Sequence, residues 1–193
     1  PKNPFYAEEL VVPAVALLGY SRTLVMLPIT LFAMSVSAAE LPAMAGTRDE
    51  DVGERVRSRM GAGLRQIAFF VIPSAIAFLA LGDVMTAALF QSGRFTARDT
   101  DFAWGILAAA SLGLLATSLA RLYSSAFYAI QDTKSPLRMA LVRVAIAAGL
   151  GVLAAVYAPR LLGIDSRWGA AGLALASSIA GWVEFLLLRN RLN

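Results

Sequence analysis

Residues 102–120 read FAWGILAAASLGLLATSLA, nineteen consecutive residues without a charge. As an α-helix rising 1.5 Å per residue, such a run is about 28 Å long, close to the roughly 30 Å hydrocarbon core of a bilayer. It lacks the period-two alternation that barrel strands show over segments of about 10 residues. The run therefore predicts a membrane-crossing helix, extended here to Phe102–Tyr128 with Arg121 near its end. Working outward, Leu10–Ala39, Ile67–Phe90, Val144–Pro159 and Trp168–Leu188 are stretches of the same kind, separated by segments where Arg, Lys, Asp and Glu collect. The chain is 58% hydrophobic and 16% charged, with a mean hydropathy of +0.66, more apolar surface than a soluble domain of 193 residues can bury. The expected fold is all-α and integral to the membrane. It has five helices, spanning about residues 10–45, 52–91, 97–131, 136–159 and 168–189, in a single bundle over residues 1–193.

Charge orients the bundle. If the first span runs from outside to inside, Arg48, Arg55, Arg57, Arg59, Arg65, Lys134, Arg138, Arg143, Arg189 and Arg191 are cytoplasmic. Lys2, Arg94, Arg98, Arg160 and Arg167 then lie opposite, which satisfies the positive-inside bias. This accounts for the net charge of +4. The arginines flank spans instead of forming a stripe with exposed aromatics, so no nucleic-acid partner is expected. The start at Pro1 has no basic segment ahead of a short apolar core, so no signal peptide is read there and the chain looks like a fragment.

The absence of cysteine and histidine removes disulfides, Cys/His metal sites and imidazole-based triads. No GxSxG, P-loop, dinucleotide-binding glycine motif or facing carboxylate pair is present. No enzyme activity, cofactor or metal is expected, which leaves transport or a membrane-scaffold role.

Several residues shape or depart from the five-span pattern. The first stretch is too long for a straight crossing, and Pro28 near its middle predicts a kink, with Thr30 able to bond back to a freed carbonyl. Pro73 predicts a bend in the second span, which Gly82-Asp83 is expected to end, leaving Val84–Gln91 as a short interfacial helix. Thr47 followed by acids to Asp51 reads as a helix start, as does Thr96. Ser135 is the expected N-cap of the fourth helix, with Pro136 at its first position. Gly172, Ala176 and Ala180, with Gly181 beside them, form a small-residue face for close helix approach. Trp168 and Trp182 are placed near the two interfaces.

Arg22 falls well inside the first apolar stretch, where an unpaired cation costs about 2.5–3.5 kcal/mol on insertion scales. It either lines a polar cavity with Tyr20, Ser21 and Thr23, or snorkels from a crossing that begins only at Thr23. Arg121 near the end of the third span reads as a snorkelling residue. Glu40, Asp83 and Glu184 read as interfacial unless an arginine partner lies nearby. Arg65, at the mouth of the second span, is placed to attract an anionic headgroup or serves the charge bias alone.

These motifs resemble one family. The segment Tyr20 to Pro28 with LPITLFAMSVSAAELPAMA, IPSAIAF around Pro73, LFQSGRFTARD at 89–99, FYAIQDTKSP at 127–136 and WGAAGLALASSIAGW at 168–182 are similar to the MurJ/MviN lipid II flippases, over nearly the whole chain. The resemblance implies helices eight to twelve of a fourteen-helix transporter, a partial C-terminal lobe whose N-terminal lobe lies elsewhere. It implies alternating access around a cationic cavity in the bacterial plasma membrane. The substrate would be an undecaprenyl-diphosphate-linked anionic lipid among membrane lipids, contacted by Arg22, Thr23, Tyr20, Arg65 and Arg121, with Pro28 and Pro73 as hinges. Many members of the family carry an arginine at the position of Thr23, so Arg22 stands one residue, or about 100°, from it. An exporter of another polyprenyl-linked glycan and a non-transporting scaffold for cell-wall enzymes remain alternatives, the scaffold being favoured if Arg22 met no cavity.

Overall fold

The computed structural model describes residues 14–45, 52–93, 95–157, 161, 163 and 165–192, and every regular element among them is helical. Helix α1 is Ala14–Pro28. It passes through a π-helical turn, Ile29–Met34, into α2, Ser35–Ala45. Helix α3 is Val52–Phe90, α4 Ala97–Ser111, α5 Leu114–Ala129, α6 Lys134–Val152 and α7 Gly169–Leu192. Four segments, Ala14–Pro42, Arg59–Phe90, Lys134–Tyr157 and Gly169–Leu192, are each long and apolar enough to cross a membrane, and α4 with α5 makes a fifth. The expected helix start at Thr47–Asp51 lies outside the described residues.

The long first stretch is accommodated by widening. Pro28 cannot donate to the preceding turn, and the helix opens into the π turn directly after it instead of breaking. The Thr30 hydroxyl donates to the carbonyls of Met26, at 2.8 Å, and Leu27, at 3.1 Å, as its position in the sequence predicts. A second π turn, Leu153–Tyr157, extends α6.

Two expectations about the spans are corrected. Gly82-Asp83 does not end the second span, because α3 runs unbroken to Phe90. Gly82 is instead a contact point, since a β-carbon there would lie 2.7 Å from the Trp104 ring. The same helix passes through Pro73, whose expected bend leaves the hydrogen-bonded helix unbroken, and the Ser74 hydroxyl donates to the Phe70 carbonyl at 2.9 Å. The uncharged run at 102–120 is not one straight helix, for α4 and α5 meet at Leu112-Gly113 with a bend of 41°.

The carbonyls at that bend are taken up by α7. Ser178 Oγ donates to Ala109 at 2.7 Å, and the Trp182 indole to Leu112 at 2.9 Å. Trp182 therefore serves the middle of the bundle, not an interface. Trp168 does sit at the end of the bundle, against Phe102 and over Gly105. In hydrocarbon, backbone groups freed by a break need a partner from a neighbouring helix, which is the physical reason for these bonds.

The third helix junction also differs from its reading. Asp132, not Ser135, caps α6: its carboxylate accepts from the backbone N–H groups of Lys134 and Ser135 and from the Ser135 hydroxyl. Before it, Gln131 turns left-handed (φ 61°), with its own N–H on Tyr128 and that of Asp132 on Phe127. One helix thus closes by a Schellman-type turn and the next opens one residue later. Thr96 caps α4 as expected, in a reciprocal box with Asp99.

Helix α7 packs against α4, α5 and α6, while α6 lies at the edge of the bundle, mainly on α7. The small face of α7 makes these approaches possible. Ala176 and Ala180 are buried, and Gly169 and Gly172 lie against the backbone of the π turn at Ala155 and Ala154. On the other side, α1 is tied to α4 by the buried Ser21 hydroxyl, 2.8 Å from the Ala103 carbonyl.

Candidate functional site

Between α1, the α4–α5 bend, α6 and α7 lies a cavity of about 720 Å³. Its wall is largely apolar, with Val25, Ile106, Leu114, Val144 and Leu173, and its polar members include Arg22, Arg143, Glu184, Thr117 and Ser177. A second cavity of about 460 Å³ continues between α2, α5, α6 and α7, lined by Arg121, Ser37, Ser124, Ser125 and Tyr128. Thr117, Arg143 and Glu184 border both.

Arg22 is exposed on the cavity wall about 12 Å along the axis from the start of α1, and has no acidic partner among the described residues. Ser21 beside it is fixed in the helix contact, which leaves Arg22 facing the space. Thr23 bonds back to the Gly19 carbonyl at 3.1 Å and does not line either cavity. Tyr20 packs on Phe90 and Phe95, with ring centroids 4.8 and 5.6 Å away, also off the cavity. Arg65 is exposed on α3 and borders neither space. Of the five residues expected to meet substrate, Arg22 and Arg121 are the two that reach cavity walls.

Arg143 and Glu184 were not among them. Their side chains pair at 2.9 Å, Nη1 to Oε2, with Glu184 9% exposed and Arg143 31%. Charge counting assigns Arg143 to the turn before α6. Yet the helix starts at Lys134, which puts Arg143 roughly 14 Å along it. The signal available in the sequence was the Pro136 helix start, from which Arg143 falls about two turns inward. Glu184 meets the condition set for it, since an arginine is its neighbour.

A second ionic cluster closes the opposite end of the bundle. Arg167 pairs with Asp99 at 3.0 Å and Asp165 at 3.5 Å, and its guanidinium lies 4.1 Å from the Phe102 ring centre. Arg98 reaches Asp165 at 3.3 Å. The backbone N–H of Arg167 chiefly, then the charge of its guanidinium, holds the Asp165 carboxyl below its ordinary value despite the opposing effect of burial. This cluster ties the start of α4 to the segment leading into α7. Arg98 and Arg167, expected from the sequence to serve the charge bias, thus form ion pairs at this end of the bundle.

An apolar helical bundle of membrane-length spans, with arginines on the walls of a half-open cavity between its helices, defines a multi-pass membrane protein. The chain belongs to the lipid II flippase MurJ family, whose profile it matches over residues 4–193. It is 30% identical over 191 residues to a probable lipid II flippase MurJ of Vibrio cholerae, covering 99% of this chain and 34% of that protein. A lipid II flippase MurJ of Thermosipho africanus is 30% identical over 171 residues, 89% of this chain and 33% of its own. A solved lipid II flippase MurJ in an inward closed conformation superposes with a TM-score of 0.80 at 28% identity, over 92% of this chain and 35% of that one. The chain spans about a third of the length of the curated relatives it matches. The family is one of transporters of the bacterial inner membrane, not of enzymes.

Proposed function

We propose that this chain contributes part of the C-terminal lobe of a flippase, corresponding to helices eight to twelve of fourteen, and that the whole protein moves undecaprenyl-diphosphate-linked peptidoglycan precursor across the plasma membrane. The single observation that carries this reading is Arg22, a cation with no acidic partner among the described residues, on the wall of a cavity of about 720 Å³ in an apolar bundle. An arginine at that depth is expensive unless water or an anion meets it. A diphosphate has the complementary problem, because its charge must cross the same hydrocarbon, and a guanidinium can pair with it through two parallel hydrogen bonds. Two lobes that rock about this space would expose it to each side in turn. Pro28, next to the π turn, and Pro73 serve as hinge positions. The ends carrying Arg65 and Lys134 are cytoplasmic, where Arg65 engages anionic headgroups. Tyr20 and Thr23 hold the turn that presents Arg22 instead of touching cargo.

The test is Arg22→Ala in the full-length protein. Cells depleted of their own flippase and given this variant should fail to grow while its membrane level, read by immunoblot, equals that of the wild type. Normal growth would remove Arg22 from the mechanism.

A further inference from the structure

The two cavities meet at one ion pair. Arg143 and Glu184 border both spaces, Arg22 stands on the wall of the larger, and Arg121 on that of the smaller. Neither Arg22 nor Arg121 has an acidic partner among the described residues. The order across the space is therefore cation, neutral pair, cation. The pair is incomplete as a structural device. Only Nη1 of Arg143 is engaged, whereas a guanidinium offers five N–H donors and matches a phosphate better than a single carboxylate oxygen uses it. Glu184, nearly buried, accepts only that one bond among the described residues. On the wall of the smaller cavity, Ser37 Oγ and Arg121 Nε are buried with no hydrogen-bond partner, donor capacity that the described residues leave unused.

Resting on the flippase reading, we propose that Arg143 is a further contact for the diphosphate of the cargo, and that the Arg143–Glu184 pair is an exchangeable partition between two anion stations, Arg22 and Arg121. In the empty protein Glu184 holds Arg143, because a carboxylate so enclosed is costly without its cation. An anion leaving Arg22 meets the negative charge of Glu184, and like charges repel strongly where water is scarce. It passes when Arg143 turns from Glu184 to a phosphate oxygen and returns once the anion has reached Arg121. The step moves one side chain between two acceptors and requires no bond chemistry.

The experiment uses the full-length protein with Arg143→Gln, Glu184→Gln, the exchanged pair Arg143→Glu with Glu184→Arg, and Arg22→Ala in parallel. Membrane level and melting temperature report folding, growth of flippase-depleted cells reports transport, and farnesyl diphosphate is the binding probe for the purified protein. The exchanged pair should fold like the wild type and yet not support growth, since the cation has moved to the other helix. Arg143→Gln should weaken probe binding about tenfold, the loss of one charge-assisted hydrogen bond, and Glu184→Gln should tighten it. An exchanged pair that supports normal growth makes the ion pair purely structural and overturns the proposal. If the exchanged pair does not accumulate, unchanged or weaker probe binding by Glu184→Gln overturns it instead. Loss of growth with Arg22→Ala beside normal growth and binding with Arg143→Gln removes the partition alone, whereas a wild-type protein that does not restore growth of flippase-depleted cells removes the flippase reading itself.

Discussion

Asp132 receives the Ser135 hydroxyl and the backbone N–H groups of Ser135 and Lys134, and in that order these bonds hold its carboxyl below the ordinary aspartate value, with a smaller contribution from the charge of Arg191. A carboxyl whose value is lower folded than unfolded stabilises the fold above its unfolded pKa of about 3.9, and that contribution disappears as pH falls through the depressed value. Melting temperature should therefore drop on acidification below about pH 4 in the wild type, and Asp132→Asn should flatten that part of the curve. An unchanged acid limb in the variant would remove Asp132 as its source. How far single residues were legible depended on whether their context was local. Arg22 was readable because a charge inside an uncharged run is conspicuous, and Thr96 because a capping box lies within four residues. Arg143 and Glu184 were not, since each stands near helix ends in the sequence and their pairing joins positions 41 residues apart.

At the scale of elements, the uncharged run at 102–120 gave the right length and environment and the wrong shape. Nothing in the apolarity of AAASLGLLA marks a break. The bend at Leu112-Gly113 exists because α7 supplies Ser178 and Trp182 to the freed carbonyls and comes so close that a β-carbon on Gly113 would lie 2.6 Å from Ser178 Cα. Hydropathy cannot see a neighbour from 65 residues away. Gly113→Ala forces backbone against backbone and should cost about 1–3 kcal/mol, seen as a lowered melting temperature of the purified full-length protein. Gly149→Ala, where a β-carbon meets nothing within 4 Å, is the control and should not lower it. Equal stability of the two variants would show that the close approach is not tight. The small-residue face of α7 was legible as spacing, and its partners, the π turn after α6 on one side and Thr117 on the other, were not.

For the molecule as a whole, the five crossings followed from lengths and charges alone, because a bilayer constrains those two quantities more strictly than any other. The cavity did not, since it is a gap between helices whose packing is decided by side chains far apart in the chain. The chain contains no cysteine, so single cysteines introduced into a full-length protein freed of any others report water directly. Cysteines replacing Ser177 and Thr117 on the cavity wall should react with a membrane-impermeant maleimide, and those replacing Phe69 and Leu141, exposed apolar residues on the outer faces of α3 and α6, should not. The reverse pattern would mean that the cavity is dry. The wide turn at Ile29–Met34 has a consequence for how such a protein tolerates change in its gene. In an unbroken helix the row Leu18, Arg22, Val25, Ile29 would continue through positions 32, 36 and 40. Yet Phe32 stacks on Phe70, Val36 is in the core and Glu40 lies beside Gly63, while the row along the cavities resumes at Met34, Ser37 and Leu41. The turn thus behaves as one surplus codon absorbed into the helix. Deleting the exposed Leu31 should leave a regular helix with Arg22 and Ser37 still on one wall and the protein still accumulating in membranes. Deleting the buried Leu107 from α4, which holds no slack, should abolish accumulation, and equal loss from both deletions would show that the surplus residue is not dispensable. A length polymorphism at this point of the chain would then be silent, where the same change a few turns away would be lethal to the fold.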